Sequence, residues 1–170
     1  MQLINLNITQ MILADIAAWV FFHLGIGYSC SKIPLGWLNP GRPFFQTFEW
    51  EKDGRIYNQL FRVRSWKAII PNGSALYKDG YSIRQLTATD QAHLERWLKE
   101  TVRAETCHWM MILPGFLFFL WNNVMLGWLM VAYAFLNNLP LIFVQRFNRP
   151  RVRKMLKIVE KRNQKISRAQ

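Results

Sequence analysis

Two side chains with complementary acid–base chemistry stand three residues apart in the sequence, at Glu105 and His108. On a helix, this spacing places both side chains on one face. A neutral imidazole can take a proton from a hydroxyl group, while a nearby carboxylate fixes the ring tautomer and favours the imidazolium that forms. The pair therefore indicates general-base chemistry. The alternative is that Glu105 pairs with a neighbouring arginine and His108 is an ordinary side chain at a membrane interface.

A second polar cluster, Gln145-Arg-Phe-Asn-Arg-Pro-Arg151, follows directly after a long apolar stretch. Arginines at this place are typical of a stop-transfer sequence, which gives no reason for the interleaved Gln145, Phe147 and Asn148. Polar side chains at membrane depth usually face the interior of the protein or a water-filled cavity. We therefore expect this cluster to meet Glu105 and His108 at a similar depth.

Long stretches without charged residues indicate the membrane segments that would position Glu105, His108 and the 145–151 cluster. Residues 106–145 contain no Asp, Glu, Lys or Arg. A helix of that length would measure about 60 Å, roughly twice the hydrocarbon thickness of a bilayer, so we expect one turn, at Asn122-Asn123. The resulting arms are 107–121 and 124–144, and the first is shorter than a comfortable span of about 20 residues, which leaves a short, partly inserted hairpin open. The apolar residues 8–28 predict a further span.

The distribution of charge predicts the orientation. The 22 basic and 10 acidic residues give a net charge of +12, and the tail 146–170 carries much of it. The positive-inside rule then places the tail and segment 30–105 in the cytoplasm and the N-terminus outside. Because no Lys or Arg precedes Lys32, we expect the first span to stay attached rather than to be cleaved as a signal peptide. A nucleic-acid partner is not expected, since the nearest polyanion to the basic tail is the anionic lipid surface.

The predicted fold is an all-α integral membrane protein with a single domain, 1–170. It has about three membrane helices, interfacial helices in segment 30–105 and a basic C-terminal helix. Within 30–105, the spacing of Ile56, Leu60 and Val63 predicts a helix, with a hairpin at Asp53-Gly54 as the alternative. Thr89 or Asp90 is expected to cap the next helix, whose apolar stripe is Leu94, Trp97, Leu98 and Val102. The three histidines and two cysteines show no metal-ligand spacing, so neither a metal site nor a disulfide is expected.

Three blocks of sequence give the chain a resemblance to a known family. They are R-V-R-S-W-K-A-I-I-P at 62–71, R-A-E-T-C-H-W-M-M-I-L-P at 103–114 and N-L-P-L-I-F-V-Q-R-F-N-R-P-R at 138–151. In these blocks the chain resembles the bacterial glycosyl-4,4'-diaponeurosporenoate acyltransferases, which esterify the sugar of a glycosylated carotenoid acid in staphyloxanthin biosynthesis. The resemblance implies an O-acyltransferase of the bacterial cytoplasmic membrane that moves a fatty acyl group onto a sugar hydroxyl. The acceptor stays open, because relatives could serve other glycolipids.

The resemblance also implies roles for individual residues. His108 would be the base for the sugar hydroxyl, with Glu105 as its orienting partner. Arg146 and Arg149 would bind phosphates of an acyl-CoA or stabilise the developing oxyanion, with Asn148 as a neutral donor. The other residues expected at the substrate are Gln145, Arg103, Trp66, Lys67 and Trp109. For Trp66 and Lys67, anchoring at the membrane interface is an equal alternative.

The expected partners are membrane lipids, a lipid-linked sugar acceptor and an acyl donor, with no bound cofactor. The donor is an acyl-CoA, an acyl carrier protein or a phospholipid. Two other classes of protein stay open. A non-catalytic membrane scaffold or accessory protein would use its basic surface to bind anionic lipid, and a membrane methyltransferase or reductase would use similar arginines without an acyl donor.

Overall fold

The computed structural model describes residues 3–70, 81–83, 86 and 88–169, and within these residues every regular element is helical. Pro71, the last residue of the first sequence block, lies outside the described residues. The five α-helices are α1 (Ile8–Ser31), α2 (Arg55–Phe61), α3 (Val63–Trp66), α4 (Gln91–Ile112) and α5 (Val124–Ala169). Short 3-10 helices cover Leu35–Trp37, Pro43–Phe45, Glu49–Glu51 and Leu113–Leu120. The chain divides into two compact units.

The first unit contains Met1–Lys32 and Glu105–Ile142. Its helix α1 begins with a capping box, in which Asn7 Oδ1 accepts from the Gln10 N–H at 2.9 Å and Gln10 Oε1 accepts from the Asn7 N–H at 3.1 Å. Two helices are long and apolar enough to cross a membrane, α1 and the N-terminal part of α5, and only 6% and 28% of their most apolar windows are buried. Core helices of soluble proteins would be mostly buried. The predicted spans 8–28 and 124–144 therefore coincide with helices whose apolar side chains are available to lipid.

The predicted arm 107–121 is divided in the structure. Helix α4 ends at Ile112, and the chain continues as the 3-10 helix Leu113–Leu120, with Pro114 in its first turn. Proline has no N–H for an α-helical hydrogen bond, which explains why α4 ends there. The turn at Asn122-Asn123 is confirmed, and Asn123 Oδ1 caps α5 by accepting from the Leu126 N–H at 2.9 Å. A third span stays a prediction.

The second unit contains Ile33–Ala104 and Phe143–Gln170. Helix α2 confirms a helix at Ile56 and Leu60 and not the hairpin, but the chain breaks at Arg62, whose φ is +48°, and Val63 begins the separate helix α3. Asp90 caps α4, with its Oδ2 2.9 Å from the His93 N–H, and the predicted stripe is buried against the C-terminal part of α5. The buried residues of this core are Leu94, Trp97, Leu98 and Val152. A second core, of Tyr57, Val63 and Phe147, packs α2 and α3 on the part of α5 that carries the arginine block.

Candidate active site

His108 lies on α4 and receives its partner from α5. Its Nδ1 lies 3.0 Å from Oδ1 of Asn138, and the Nδ2 group of the same amide lies 2.9 Å from the Ala134 carbonyl, one turn earlier on α5. Asn138 is only 3% exposed. Asn138 is the first residue of the third sequence block, but no role was predicted for it.

The orientation of the Asn138 amide decides the tautomer of His108. A backbone carbonyl only accepts hydrogen bonds, so the atom of Asn138 that faces Ala134 O must be the amide nitrogen. That leaves Oδ1, an acceptor, to face His108, and Nδ1 must therefore carry the proton. The lone pair of the neutral ring is then on Nε2. The pair thus holds an imidazole in the form that can accept a proton at Nε2.

Glu105 lies one turn before His108 on α4 and is completely buried. Its Oε1 lies 3.4 Å from Nε1 of Trp109, so two of the predicted site residues contact each other. The structure gives the hydrogen bond at His108 Nδ1 to Asn138, and the orienting role expected of Glu105 stays a prediction.

The polar residues of α1 serve the packing of the first unit. Asp15 Oδ1 accepts from Trp121 Nε1 at 2.7 Å and from Asn122 Nδ2 at 2.8 Å, which ties α1 to the turn before α5. His23 Nδ1 lies 2.8 Å from the Trp19 carbonyl on its own helix. These contacts agree with a structural interpretation of Asp15 and His23.

In the second unit, Arg146 is held by acceptors from the protein itself. Its Nη1 lies 2.6 Å from Glu51 Oε1, and its Nη2 donates to the Phe44 carbonyl at 2.7 Å. Glu51 is fully buried and also accepts from the Tyr57 hydroxyl at 2.8 Å. Breaking such a buried ion pair from one side is costly, because the remaining charge is left without compensation. Arg146 therefore holds the 3-10 segments at 43–51 against α5.

Arg149, one turn further along α5, is bound in the same manner. Its Nε donates to Thr101 Oγ1 and its Nη2 to the Thr101 carbonyl, both at 3.0 Å, while Nη1 donates to the Phe45 carbonyl at 3.0 Å. Only 2% of the residue is exposed. These contacts of both arginines are internal to the second unit, and the predicted binding of donor phosphates by Arg146 and Arg149 stays a prediction.

The structure brings together Lys67 and Asn148, two predicted site residues from different sequence blocks. Lys67 Nζ donates to Asn148 Oδ1 at 2.8 Å and lies 5.1 Å from the centre of the Phe147 ring. Burial, followed by the charges of Arg151 and Arg64, lowers the pKa of Lys67. Trp66 Nε1 donates to the Phe61 carbonyl at 2.7 Å, which joins the end of α3 to the end of α2.

The two remaining predicted residues are also in the second unit. Gln145 is 7% exposed. Arg103 pairs with Glu100 on its own helix at 2.8 Å and donates from Nη1 to the Ile33 carbonyl at 2.8 Å. The latter contact fixes the chain directly after α1 and is a structural role for a residue that was expected at the substrate.

Sequence reasoning missed Asn138, Glu51 and Thr101, each of which binds a predicted site residue. A signal existed for Asn138, since an amide within an apolar, charge-free segment needs a polar partner. Glu51 and Thr101 gave no such signal, because acidic and hydroxyl residues are ordinary outside the membrane segments.

The chain matches the family model of glycosyl-4,4'-diaponeurosporenoate acyltransferases over residues 41–158. The glycosyl-4,4'-diaponeurosporenoate acyltransferase of Staphylococcus aureus strain MRSA252 is 34% identical over 147 residues, which are 86% of this chain and 88% of that protein. The proteins of the same name from strains N315 and bovine RF122 / ET3-1 are 33% identical over the same shares. No solved structure matches the chain. Since the family model covers more than half of the chain, including α4 and the arginine block, this protein belongs to the glycosyl-4,4'-diaponeurosporenoate acyltransferase family.

Proposed function

We propose that the protein is a membrane O-acyltransferase that moves a fatty acyl group onto a sugar hydroxyl of a glycosylated lipid or carotenoid. The family supports acyl transfer. The observation that carries the chemical assignment is the His108–Asn138 hydrogen bond, which leaves the basic nitrogen at Nε2. The two long, exposed apolar helices support a location in the membrane, where a lipid-linked acceptor is also found.

In the proposed reaction, His108 Nε2 accepts the proton of the sugar hydroxyl while the hydroxyl oxygen attacks the carbonyl carbon of the acyl donor. The new bond is the ester C–O bond, and the broken bond joins the acyl carbon to the leaving group of the donor. The imidazolium then returns its proton to that leaving group, so His108 is neutral again at the end of the cycle. Asn138 keeps Nδ1 protonated throughout, and the negative charge of Glu105 favours the transient imidazolium.

The donor is an acyl-CoA, an acyl carrier protein or a phospholipid, and a cytoplasmic location of the C-terminal part of α5 would give access to all three. The charge distribution supports this orientation, because the part of α5 after Val144 is strongly basic.

The test is His108→Ala, with turnover measured per molecule of membrane-inserted protein on an acceptor identified by mass spectrometry. General-base assistance is typically worth about 10² to 10⁴ in rate, so the variant should lose at least the lower figure. Glu105→Gln should lose less, because it keeps size and hydrogen bonding and removes only the charge. The control is His93→Ala, which should leave turnover nearly unchanged. His93 belongs to the second unit, and its Nδ1 lies 3.0 Å from the Tyr81 hydroxyl. Near-native turnover of His108→Ala would remove the proposed base.

A further inference from the structure

Two cations of the second unit, Lys67 and Arg151, lie against one aromatic ring, and they are different residues from the arginines held by Glu51 and Thr101. Arg151 on α5 stacks on Phe147, with its guanidinium carbon 3.6 Å from the ring centre, and Lys67 Nζ approaches the same ring to 5.1 Å. Arg64 lies on α3, three residues before Lys67, so the two share a helix face. We call Arg64, Lys67 and Arg151 the cationic cluster.

The cluster carries three positive charges, and no carboxylate of the described residues forms an ion pair with them. Within residues 3–70 and 88–169, the hydrogen bonds of its side chains go to neutral acceptors, Asn148 Oδ1 for Lys67 and the Phe147 carbonyl for Arg151. Burial, followed by the charges of Arg151 and Arg64, lowers the pKa of Lys67, as expected where like charges lie close together. A bound anion would relieve this repulsion.

One member of the cluster, Arg151, lines a groove on the surface of the second unit. The groove has a volume of about 360 Å³ and is lined by Asp53, Arg55, Pro150, Arg151 and Lys154. Asp53 and Lys154 pair with each other at 2.6 Å, so the net charge of the lining comes from Arg55 and Arg151. Arg151 thus belongs to both the cluster and the groove.

We infer that the cationic cluster of Arg64, Lys67 and Arg151 binds a phosphate group of the acyl donor. This inference rests on the proposed acyl transfer, which supplies the acyl donor as the ligand. It assigns the phosphate of that donor to residues other than Arg146 and Arg149. Arg146 and Arg149 are buried and donate to Glu51, Thr101 and backbone carbonyls, whereas Arg64 and Arg151 are exposed. A guanidinium matches phosphate oxygens with two parallel hydrogen bonds, and an ammonium adds a point charge.

The ligand chemistry is a phosphate ester, and two sources can supply it, a soluble donor such as coenzyme A or the headgroup of a phospholipid. Both are tested on the full-length protein in nanodiscs. In the first arm, coenzyme A is titrated onto protein in neutral phosphatidylcholine and its dissociation constant is measured. In the second, native mass spectrometry counts the phosphatidylglycerol molecules that stay bound. The variants are Arg151→Gln and Arg64→Gln, on different helices, with Arg151→Lys as the charge-preserving variant.

The matched control is Arg162→Gln, which removes the same charge from the exposed end of α5. Loss of a charge-assisted contact should weaken binding by about tenfold or more in one arm, and lysine should restore part of it. Weakening of coenzyme A binding assigns the cluster to a soluble donor, and loss of retained phosphatidylglycerol assigns it to a phospholipid. Unaltered binding in both arms, or an equal effect of Arg162→Gln, would overturn the inference.

The outcome does not depend on the proposed acyl transfer, because both arms measure binding. If the protein binds coenzyme A through the cluster but never acylates an acceptor, the inferred binding site is correct and the proposed function is wrong. If the Arg64→Gln and Arg151→Gln variants acylate with normal donor dependence and bind the donor as before, the proposed function is correct and the inferred binding site is wrong. Melting curves of the variants, followed by tryptophan fluorescence, show whether each still folds.

Discussion

Gly54 stands where α2 meets the arginine-bearing part of α5, and an alanine there should destabilise the second unit. Its φ of +78° lies in the left-handed region, directly after Lys52 and Asp53 at +48° and +58°. A Cβ atom at Gly54 would lie 2.6 Å from the Arg146 carbonyl oxygen, 3.1 Å from Phe147 Cα and 3.2 Å from the Phe147 carbonyl oxygen. All three are backbone atoms of α5, and they cannot move as the end of a side chain can.

Two terms set the size of the effect of Gly54→Ala. The left-handed conformation costs a residue with a Cβ atom roughly 1–2 kcal/mol, and forcing an extra carbon into a packed contact typically costs about 1–3 kcal/mol. Their sum is about 2–5 kcal/mol of unfolding free energy. For a chain of this size, each kcal/mol shifts the melting temperature by about 2–4 °C, so we expect a decrease of at least about 4 °C.

The assay is thermal unfolding of the full-length protein in neutral detergent, followed by tryptophan fluorescence. Gly36→Ala is the matched control, because it lies in the same unit, its φ is not positive, and a Cβ atom there meets nothing within 4 Å. That variant should stay within about 0.5 kcal/mol of the original protein. If Gly54→Ala melts together with the original protein and Gly36→Ala, the close approach of α2 to the backbone of α5 is refuted.

Two further variants test the polar contacts. Asn138→Leu removes the hydrogen bond that fixes the His108 tautomer, worth about 0.5–1.5 kcal/mol, so turnover should decrease roughly two- to tenfold, less than in His108→Ala, and an unchanged turnover would exclude this role. Burial, followed by the hydrogen bond to Glu51, raises the pKa of the Tyr57 hydroxyl, so the folded state keeps this proton to higher pH than the unfolded chain. The stabilisation is complete below the ordinary tyrosine pKa of about 10 and is lost as the pH rises above it. The difference in melting temperature between the protein and Tyr57→Phe should therefore shrink from pH 8 to pH 11, and a constant difference would contradict the assignment.

Much of the local structure could be predicted from the sequence, because it depends on near neighbours along the chain. The spacing of apolar residues predicted α2 and the buried stripe of α4, and the amide pair Asn122-Asn123 predicted the turn before α5. Asp90 was one of two candidate caps, and the structure selects it. These features follow from periodicity and from local hydrogen bonds, which a short window of sequence contains.

The course of residues 107–121 was not predictable in the same way. Its composition is uniformly apolar, and hydropathy alone does not distinguish an α-helix from the 3-10 helix that follows Ile112. Pro114 was the available signal. It removes one N–H donor. The next residue, Gly115, has no Cβ atom, which would lie 3.1 Å from Ala134 Cβ on α5, so the tighter helix can pack closely on its neighbour.

The roles of the arginines could not be read from charge and position, since their acceptors come from a distant loop. A 3-10 helix of three residues, Pro43–Phe45, satisfies few of its own carbonyls, and backbone carbonyls removed from water need a donor. Arg146 and Arg149, three residues apart on α5, donate to the successive carbonyls of Phe44 and Phe45. The long side chains thus complete the hydrogen bonding of a segment that has no sheet or long helix of its own.

The need of these backbone carbonyls for donors also explains why the arginines of residues 146–151 have different roles. The sequence shows three arginines within six residues and gives no way to rank them. In the structure, Arg146 and Arg149 are buried and are bound by acceptors of the protein. Arg151 instead stacks on Phe147, beside Lys67. Exchanging Arg146 or Arg149 for alanine would therefore weaken the fold and the binding of any donor together, whereas Arg151→Gln changes a residue that bears no buried ion pair. For this reason the Arg151→Gln variant can test anion binding without a loss of stability, whereas a substitution of Arg146 cannot.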